Sequence, residues 1–460
     1  MIRTLSLIVL AVCLLGMTGC ASTSADRRAE PDYRADGPAV EMPAHAATPE
    51  TDVNEPAETD GPLALSQAIS LVLARSLELR SYAWDIRAAD ARQVQAGLRP
   101  NPELGVSLEE FGGKGDRDGF DGLETIVAIT QPLELGGKRD KRTKVAAVEK
   151  QVVQWDYEVA RLDLIRRSER GFTAVLAAQQ RLDLTQNRAD LAERLWQTVN
   201  KRVDAGKDPP SEASKAQIEL AKVHMQHQQA VSELTGARHR LAALWESSVP
   251  RFERVEGELG ATPDLPSLDL AQAQIETHPQ IARWQDSLAI GRARLDLARA
   301  QSQSDIAVTA GLKRLELDDD TTGVVGVAIP LPVFNRNQGA IAAAQCELAK
   351  TREQRTQAMI QMQTHLAQAH QRLQTAIAQV STLTDQVLPS AESVFAAAQK
   401  GYEEGKFDYL RLLDAQRTLF DTQDQLVDAR AKVQLLRADL EYLIGQPLNQ
   451  FSPSDTGTER

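Results

Sequence analysis

The chain has 460 residues, a formal net charge of −12 and only 4% aromatic side chains. That length allows several domains, but a sequence so poor in aromatics and so rich in Ala, Gln and Leu suits long helices packed on one another. The acidic balance argues against nucleic acid as a partner. With Cys13 and Cys20 in or at the end of a leader, Cys346 has no mate for a disulfide.

Arg3 precedes an apolar run from Leu5 to Leu15, followed by Gly16-Met17-Thr18-Gly19-Cys20. The run is too short to span a bilayer, and the small residues mark a cleavage site, so residues 1–19 read as a signal peptide. A Cys directly after such a site resembles the bacterial lipoprotein pattern, which implies acylation of Cys20 and anchoring in lipid. Ala21 after the Cys implies the outer membrane. Residues 20–62, with prolines at 31, 38, 43, 49, 56 and 62, cannot bury enough apolar area to fold alone and read as an extended lipidated linker.

Leu65 to Gly97 reads as one helix, with Ser66 as N-cap and Gly97 and Pro100 as its stop. Leu104, Val106 and Leu108 then alternate with Gly105, Ser107 and Glu109. A Gly/Asp loop runs from Gly112 to Gly122, and Glu124 to Gln131 returns, predicting a β-hairpin. Pro132 should end strand pairing, and Gly136-Gly137 should bend the chain. From Thr143 to Asp204 the spacing of Val145, Val148, Val152, Trp155, Val159 and Leu162 predicts a coiled-coil seam on a helix of roughly 90 Å. Gly206 should form a tight turn into a returning helix that ends near Leu244.

The chain then does the same again. A shift of about 199 lays Val203 to Leu244 on Tyr402 to Leu443, with Gly206-Lys207 on Gly405-Lys406 and Ala216-Gln217 on Ala415-Gln416. Pro250 to Pro266 is a loop between the copies. Leu270 to Ala300 is the second copy of the first helix, with Trp284 matching Tyr82. Ile306, Val308, Ala310 and Leu312 lead into a turn at Asp318-Asp319-Asp320, and Val325, Val327 and Ile329 return. Leu426, Ala429, Val433, Leu436, Leu440 and Leu443 repeat the seam spacing. The organisation is therefore signal peptide 1–19, linker 20–62, first repeat 63–247, linker 248–267, second repeat 268–446 and tail 447–460. Strands of this length cross a bilayer when tilted, although a soluble hairpin with one buried face has the same pattern.

No catalytic constellation appears. Gly112-Gly113-Lys114-Gly115 lacks the following helix of a phosphate loop. His224 and His227, with Met225 between them, and Met359, Met362 and His365 have spacings that can place ligands on one helix face. No Cys or carboxylate completes either set, so the histidines read as solvated side chains, the methionines as seam filler, and no cofactor is expected.

The unit of helix, hairpin, Pro/Gly bend and two long helices, duplicated behind a lipoprotein signal, resembles the TolC-like outer-membrane efflux proteins from Leu65 to Leu443. The carriers are Leu98-Arg99-Pro100-Asn101-Pro102-Glu103, Gln131-Pro132-Leu133-Glu134-Leu135-Gly136-Gly137-Lys138-Arg139, and the run from Ile329 to Gly339. Tyr402-Glu403-Glu404-Gly405 with Leu412 to Arg417 is another. The Glu-Leu-Gly-Gly-Lys-Arg and Phe-Asn-Arg-Asn-Gln-Gly forms are similar to the CzcC-type, heavy-metal branch. The resemblance implies a mainly α protein with membrane β structure: a homotrimer whose twelve-stranded barrel continues as an α-helical tunnel. Four strands alone cannot close, and open edges in lipid leave backbone groups unsatisfied. It also implies a passive duct for heavy-metal cations, docked to a periplasmic adaptor and an inner-membrane resistance-nodulation-division pump. Acidic residues just past each turn, Glu212 and Asp414, would ring the periplasmic entrance, and Arg411 stands where related proteins carry a second Asp. A duct for organic cargo and a poreless periplasmic coiled-coil lipoprotein remain alternatives.

Overall fold

The structure, a computed structural model, describes residues 58–450; the signal peptide, Cys20, most of the linker and residues 451–460 lie outside the described residues. The first expected helix is two, α1 (Leu65–Arg75) and α2 (Leu77–Ala96). The chain extends at Ser76, whose Oγ accepts the Leu79 N–H at 3.3 Å and caps α2. Ser66 is not a cap, because α1 already begins at Leu65. The second copy breaks at the same place, into α5 (Leu268–Ala273) and α6 (Pro279–Ala300). There His278 is the cap, its Nδ1 accepting the Gln280 N–H at 3.2 Å, and Pro279 suits the first helical position because that N–H has no helical partner. The apolar period runs through both breaks, which is why periodicity alone predicts one helix.

The hairpins β1 (Glu103–Glu109) and β2 (Glu124–Leu133), and β3 (Ile306–Leu315) and β4 (Asp320–Ala328), form one antiparallel sheet in the order β1-β2-β3-β4. The β2–β3 ladder joins the two repeats. Pro132 does not end it: β2 continues to Leu133 with Pro132 opposite Ala307. β1 stops pairing at Thr130, so on that side no ladder remains for a missing N–H to interrupt. Asp320 is likewise not turn but strand, opposite Leu315.

Register sorts the side chains. One face carries Leu104, Val106, Leu108, Val127, Ile129, Val308, Leu312, Val325 and Val327. Most of these are exposed, Val325 by 80%. The other face carries Gly105, Ser107, Ala128, Thr130, Thr309, Gly311 and Thr322, with Lys313 ion-paired to Glu124 and the Thr130 and Thr309 hydroxyls 2.9 Å apart.

Gly136 and Gly137 are both left-handed, at φ 71° and 66°, so the long helix α3 starts at Lys138 rather than Thr143 and runs to Asp204. Its 67 residues span about 100 Å. α4 (Pro210–Ala242) returns along it. In the second repeat the corresponding helix is interrupted: α7 (Gln338–Thr382) passes through a π turn, Leu383–Val387, into α8 (Leu388–Glu403), and α9 (Tyr409–Ile444) returns. Pro389 lies in the first turn of α8, and the wider π turn accommodates the ring and the lost N–H. Among the described residues no helix is long and apolar enough to cross a membrane.

Each repeat has its own core where the helices are layered. Leu71, Leu164, Phe172, Leu241 and Trp245 pack in the first; Ile281, Leu366, Leu373, Leu440 and Ile444 pack in the second. Nearer the sheet the predicted seam is only partly covered: Val145 is buried, while Val148, Val152, Trp155, Val159 and Leu162 are half-buried. A third cluster joins Leu195 and Val199 of α3 to Phe395, Tyr402, Tyr409 and Leu412 of the second repeat, at the ends of both helical hairpins.

Candidate functional site: the helical tip

Both turns reverse as their glycines predict. Gly206 and Gly405 have φ of 69° and 74°, a region open to Gly at no steric cost. The Lys207 N–H donates to Arg202 O at 2.9 Å, and the Lys406 N–H to Gly401 O at 2.8 Å, the same helix-ending bond in each copy. Asp408 caps α9, its Oδ1 accepting the Arg411 N–H at 3.1 Å.

The chemistry between the turns lies on Arg202 and Asp208, which the sequence did not single out, and on Tyr402, which it marked as part of the family resemblance. Arg202 reaches Asp208 through two bonds, Nε to Oδ2 at 2.7 Å and a guanidinium NH2 to Oδ1 at 3.1 Å. Tyr402, from the other repeat, donates its hydroxyl to Asp208 Oδ2 at 2.6 Å. The Arg202 guanidinium also lies over the Tyr402 ring, 4.7 Å from its centre. The hydrogen bond from Arg202 holds the Asp208 carboxyl below the usual carboxylate range, and burial, reinforced by Asp208, pushes the Tyr402 phenol up. A charge-assisted link therefore ties the turn of one repeat to the turn of the other. A turn further along, Arg417 pairs with Glu219, which Lys222 also holds at 3.0 Å.

Glu212 is close to this link but takes no part in it. Its Oε2 is buried with no hydrogen-bond partner, and burial, then Asp208 and Asp408, pushes its carboxyl above the ordinary value. Asp414 and Arg411 are exposed on α9. Arg411 lies 5.0 Å over the Phe407 ring. Phe407 in turn fills the space above Gly401, where a Cβ would come within 2.3 Å of its ring. Aligning the two copies places Gly401 opposite Arg202 and Phe407 opposite Asp208. The link thus falls where the two copies diverge, not where they agree.

The weak metal candidates are not gathered. His224 is exposed, and His227 Nδ1 is 3.3 Å from Thr185 Oγ1. Among the described residues no three His, Cys, Asp or Glu side chains are grouped to hold a metal ion.

A duplicated helical hairpin, an open sheet with an apolar outer face and two tips latched together define an outer-membrane export subunit rather than an enzyme. Residues 68–246 and 270–446 match the family described as Outer membrane efflux protein, and the chain belongs to that family. It is 33% identical to the Cobalt-zinc-cadmium resistance protein CzcC of Cupriavidus metallidurans over 85% of this chain and 92% of that one. It is 29% identical to the Nickel and cobalt resistance protein CnrC of the same organism, over 70% and 76% of the two chains. The Pyoverdine export outer membrane protein OpmQ of Pseudomonas aeruginosa is 22% identical over 83% of each. Among solved structures, CusC superposes with a TM-score of 0.70 at 18% identity, covering 83% of this chain and 92% of that one. VceC of Vibrio cholerae gives 0.67 at 18%, covering 84% and 96%. The tandem-repeat, mainly helical fold and the outer-membrane location expected from the sequence are those of this family.

Proposed function

We propose that three copies of the chain close their sheets into one twelve-stranded barrel, continued by a helical tunnel, and that this passive duct exports divalent heavy-metal cations. The observation that carries the reading is the open sheet. Its outer strands β1 and β4 each leave one side unpaired, beside a face of exposed Leu, Val and Ile. In lipid such edges cost several kcal/mol for each unsatisfied group, so other chains must complete them. The cargo is supported by the two Cupriavidus relatives, whose names specify cobalt, zinc, cadmium and nickel. The driving force comes from an inner-membrane resistance-nodulation-division pump, through a periplasmic adaptor that favours the open tips.

Cys20 anchors the chain after loss of residues 1–19, and residues 20–62 tether it to the first repeat (63–247). Residues 248–267 link that repeat to the second (268–446), and 447–460 form a tail. Gly206 and Gly405 form the tips. Glu212, Asp414 and Arg411 from each copy border the entrance, where three-fold repetition of the acids attracts cations. The Arg202–Asp208–Tyr402 link holds it shut.

A strain lacking the gene should become sensitive to cobalt, zinc or cadmium and keep its tolerance of drugs. The reverse pattern would favour organic cargo, the reading that the likeness to OpmQ supports. Purified protein that remains a single chain in detergent and opens no channel in planar bilayers would leave the poreless alternative.

A further inference from the structure

The two repeats leave the sheet differently. In the second, Ile329-Pro330-Leu331-Pro332-Val333-Phe334 carries on from β4, and its four apolar side chains are all exposed, Phe334 by 91%. The two prolines remove N–H groups that lipid could not satisfy. This stretch marks the level at which apolar surface gives way.

At that level in the first repeat the chain turns basic. Lys138, Arg139, Lys141, Arg142 and Lys144 fall within seven positions, opposed only by Asp140, in a protein of net charge −12. The matching residues 337–343 of the second repeat hold no cation, and Arg336 just before them is the nearest. Two of the five are already paired: Lys138 Nζ with Asp305 Oδ1 at 2.7 Å, and Arg142 with both Glu134 oxygens at 2.6 and 3.2 Å. Arg139 lies 3.6 Å from the exposed Asp140, while Arg99, Lys141 and Lys144 have no ion pair among the described residues. Arg99 and Arg139 line one cleft of about 480 Å³ with Gln131, Pro132 and Leu133. Its acidic members are Glu134, held by Arg142, and Asp140. Gln131 and Leu133 share the register of Val127 and Ile129, so the cleft meets the apolar face of the sheet.

We propose that this cleft binds the headgroup phosphate of an anionic phospholipid, with Arg99 and Arg139 on the phosphate and an acyl chain along Leu133 and Ile129. Guanidinium forks match phosphate oxygens in geometry and charge, and basic pockets at a membrane boundary recognise lipid headgroups. Only the first repeat carries the site, so each chain binds one lipid. The proposal rests on the outer-membrane reading of the sheet.

The test uses the full chain in a neutral detergent, titrated separately with phosphatidylglycerol, phosphatidylcholine and inorganic phosphate and read by native mass spectrometry. Phosphatidylglycerol should bind at least tenfold more tightly than phosphatidylcholine. The double substitution Arg99→Gln, Arg139→Gln should weaken phosphatidylglycerol binding on the order of 30-fold and leave phosphatidylcholine unchanged. The Arg99→Lys, Arg139→Lys pair should retain most of the binding. If the double Gln protein fails to fold, Arg99→Gln alone, at an exposed and unpaired side chain, should still cost about fivefold. Equal affinity of the unchanged protein for the two lipids overturns the proposal, as does undiminished phosphatidylglycerol binding by the Gln variants. Displacement of the lipid by equimolar inorganic phosphate would make this a phosphate site with no lipid specificity and also overturn it. Channel conductance is measured independently, so failure of the lipid site is distinguishable from failure of the duct.

Discussion

Replacing Tyr402 by Phe removes one oxygen and tests the latch with almost no change in packing. Tyr402 is 1% exposed, and its ring packs edge-on to Tyr409 with centres 6.0 Å apart. Phe keeps that contact and the face offered to Arg202. What is lost is the 2.6 Å bond to Asp208, which crosses from one turn to the other beside the longer 3.5 Å bond from the Arg202 guanidinium to Glu403 O. A hydrogen bond to a charged group contributes about 1.5–3 kcal/mol net. The lower end applies here, because Arg202 still satisfies Asp208 through two bonds. About 1.5 kcal/mol corresponds to roughly a tenfold larger open population in each subunit. The assay is resting conductance in planar bilayers, with uptake of a large antibiotic by whole cells as the cellular counterpart. Melting of the protein should hardly change, since Phe keeps the ring in its buried cluster with Tyr409 and Leu412 and the cores of the two repeats lie elsewhere. If Tyr402→Phe conducts no more at rest than the unchanged protein, the link does not hold the entrance and the assignment fails.

Other outcomes follow from the same geometry. Glu212→Gln should lower resting conductance at neutral pH: its carboxyl titrates above the ordinary value, so the ionised form opposes the closed tip, an opposition relieved as pH falls through the raised value and mimicked by Gln. Asp208 has the opposite sign. Its stabilisation is complete above the ordinary carboxylate pKa and is lost only as pH falls through the depressed folded value, so acid alone should open a Glu212→Gln channel only below about pH 4. Burial on α3, with Glu441 nearby, pushes the Glu169 carboxyl up to about 7. Glu169→Gln should therefore raise the melting temperature at pH 8 and flatten its decline between pH 5 and 8; an unaltered pH profile would contradict the raised value. Gly401→Ala should expel the Phe407 ring and release Arg411, giving a leaky channel whose second-repeat core still melts normally.

Much of the tip was legible because glycine at a helix end carries its own physics: Gly206 and Gly405 turn as predicted. The latch was not, because Arg202, Asp208 and Tyr402 obey no period, and only folding brings residues 194 positions apart within 2.6 Å. Of the acids chosen by analogy, Glu212 lies beside the latch and Asp414 is exposed on α9, and on one chain neither makes the closing bond.

By itself the sequence determined the duplication, the two hairpins, the long helices and the turns, since all of these are local: periods of two and 3.6 residues, glycine and proline geometry, and a repeat visible by shifting the chain on itself. Tertiary structure decided the breaks at Ser76 and His278, the passage of β2 through Pro132 and the π turn before Pro389. It also decided which charges are paired and which are not. Each of these depends on what lies opposite a residue in space: a free ladder side, a neighbouring helix or a carboxylate from the other repeat. Nothing in the order of the chain specifies that neighbour until both copies have packed.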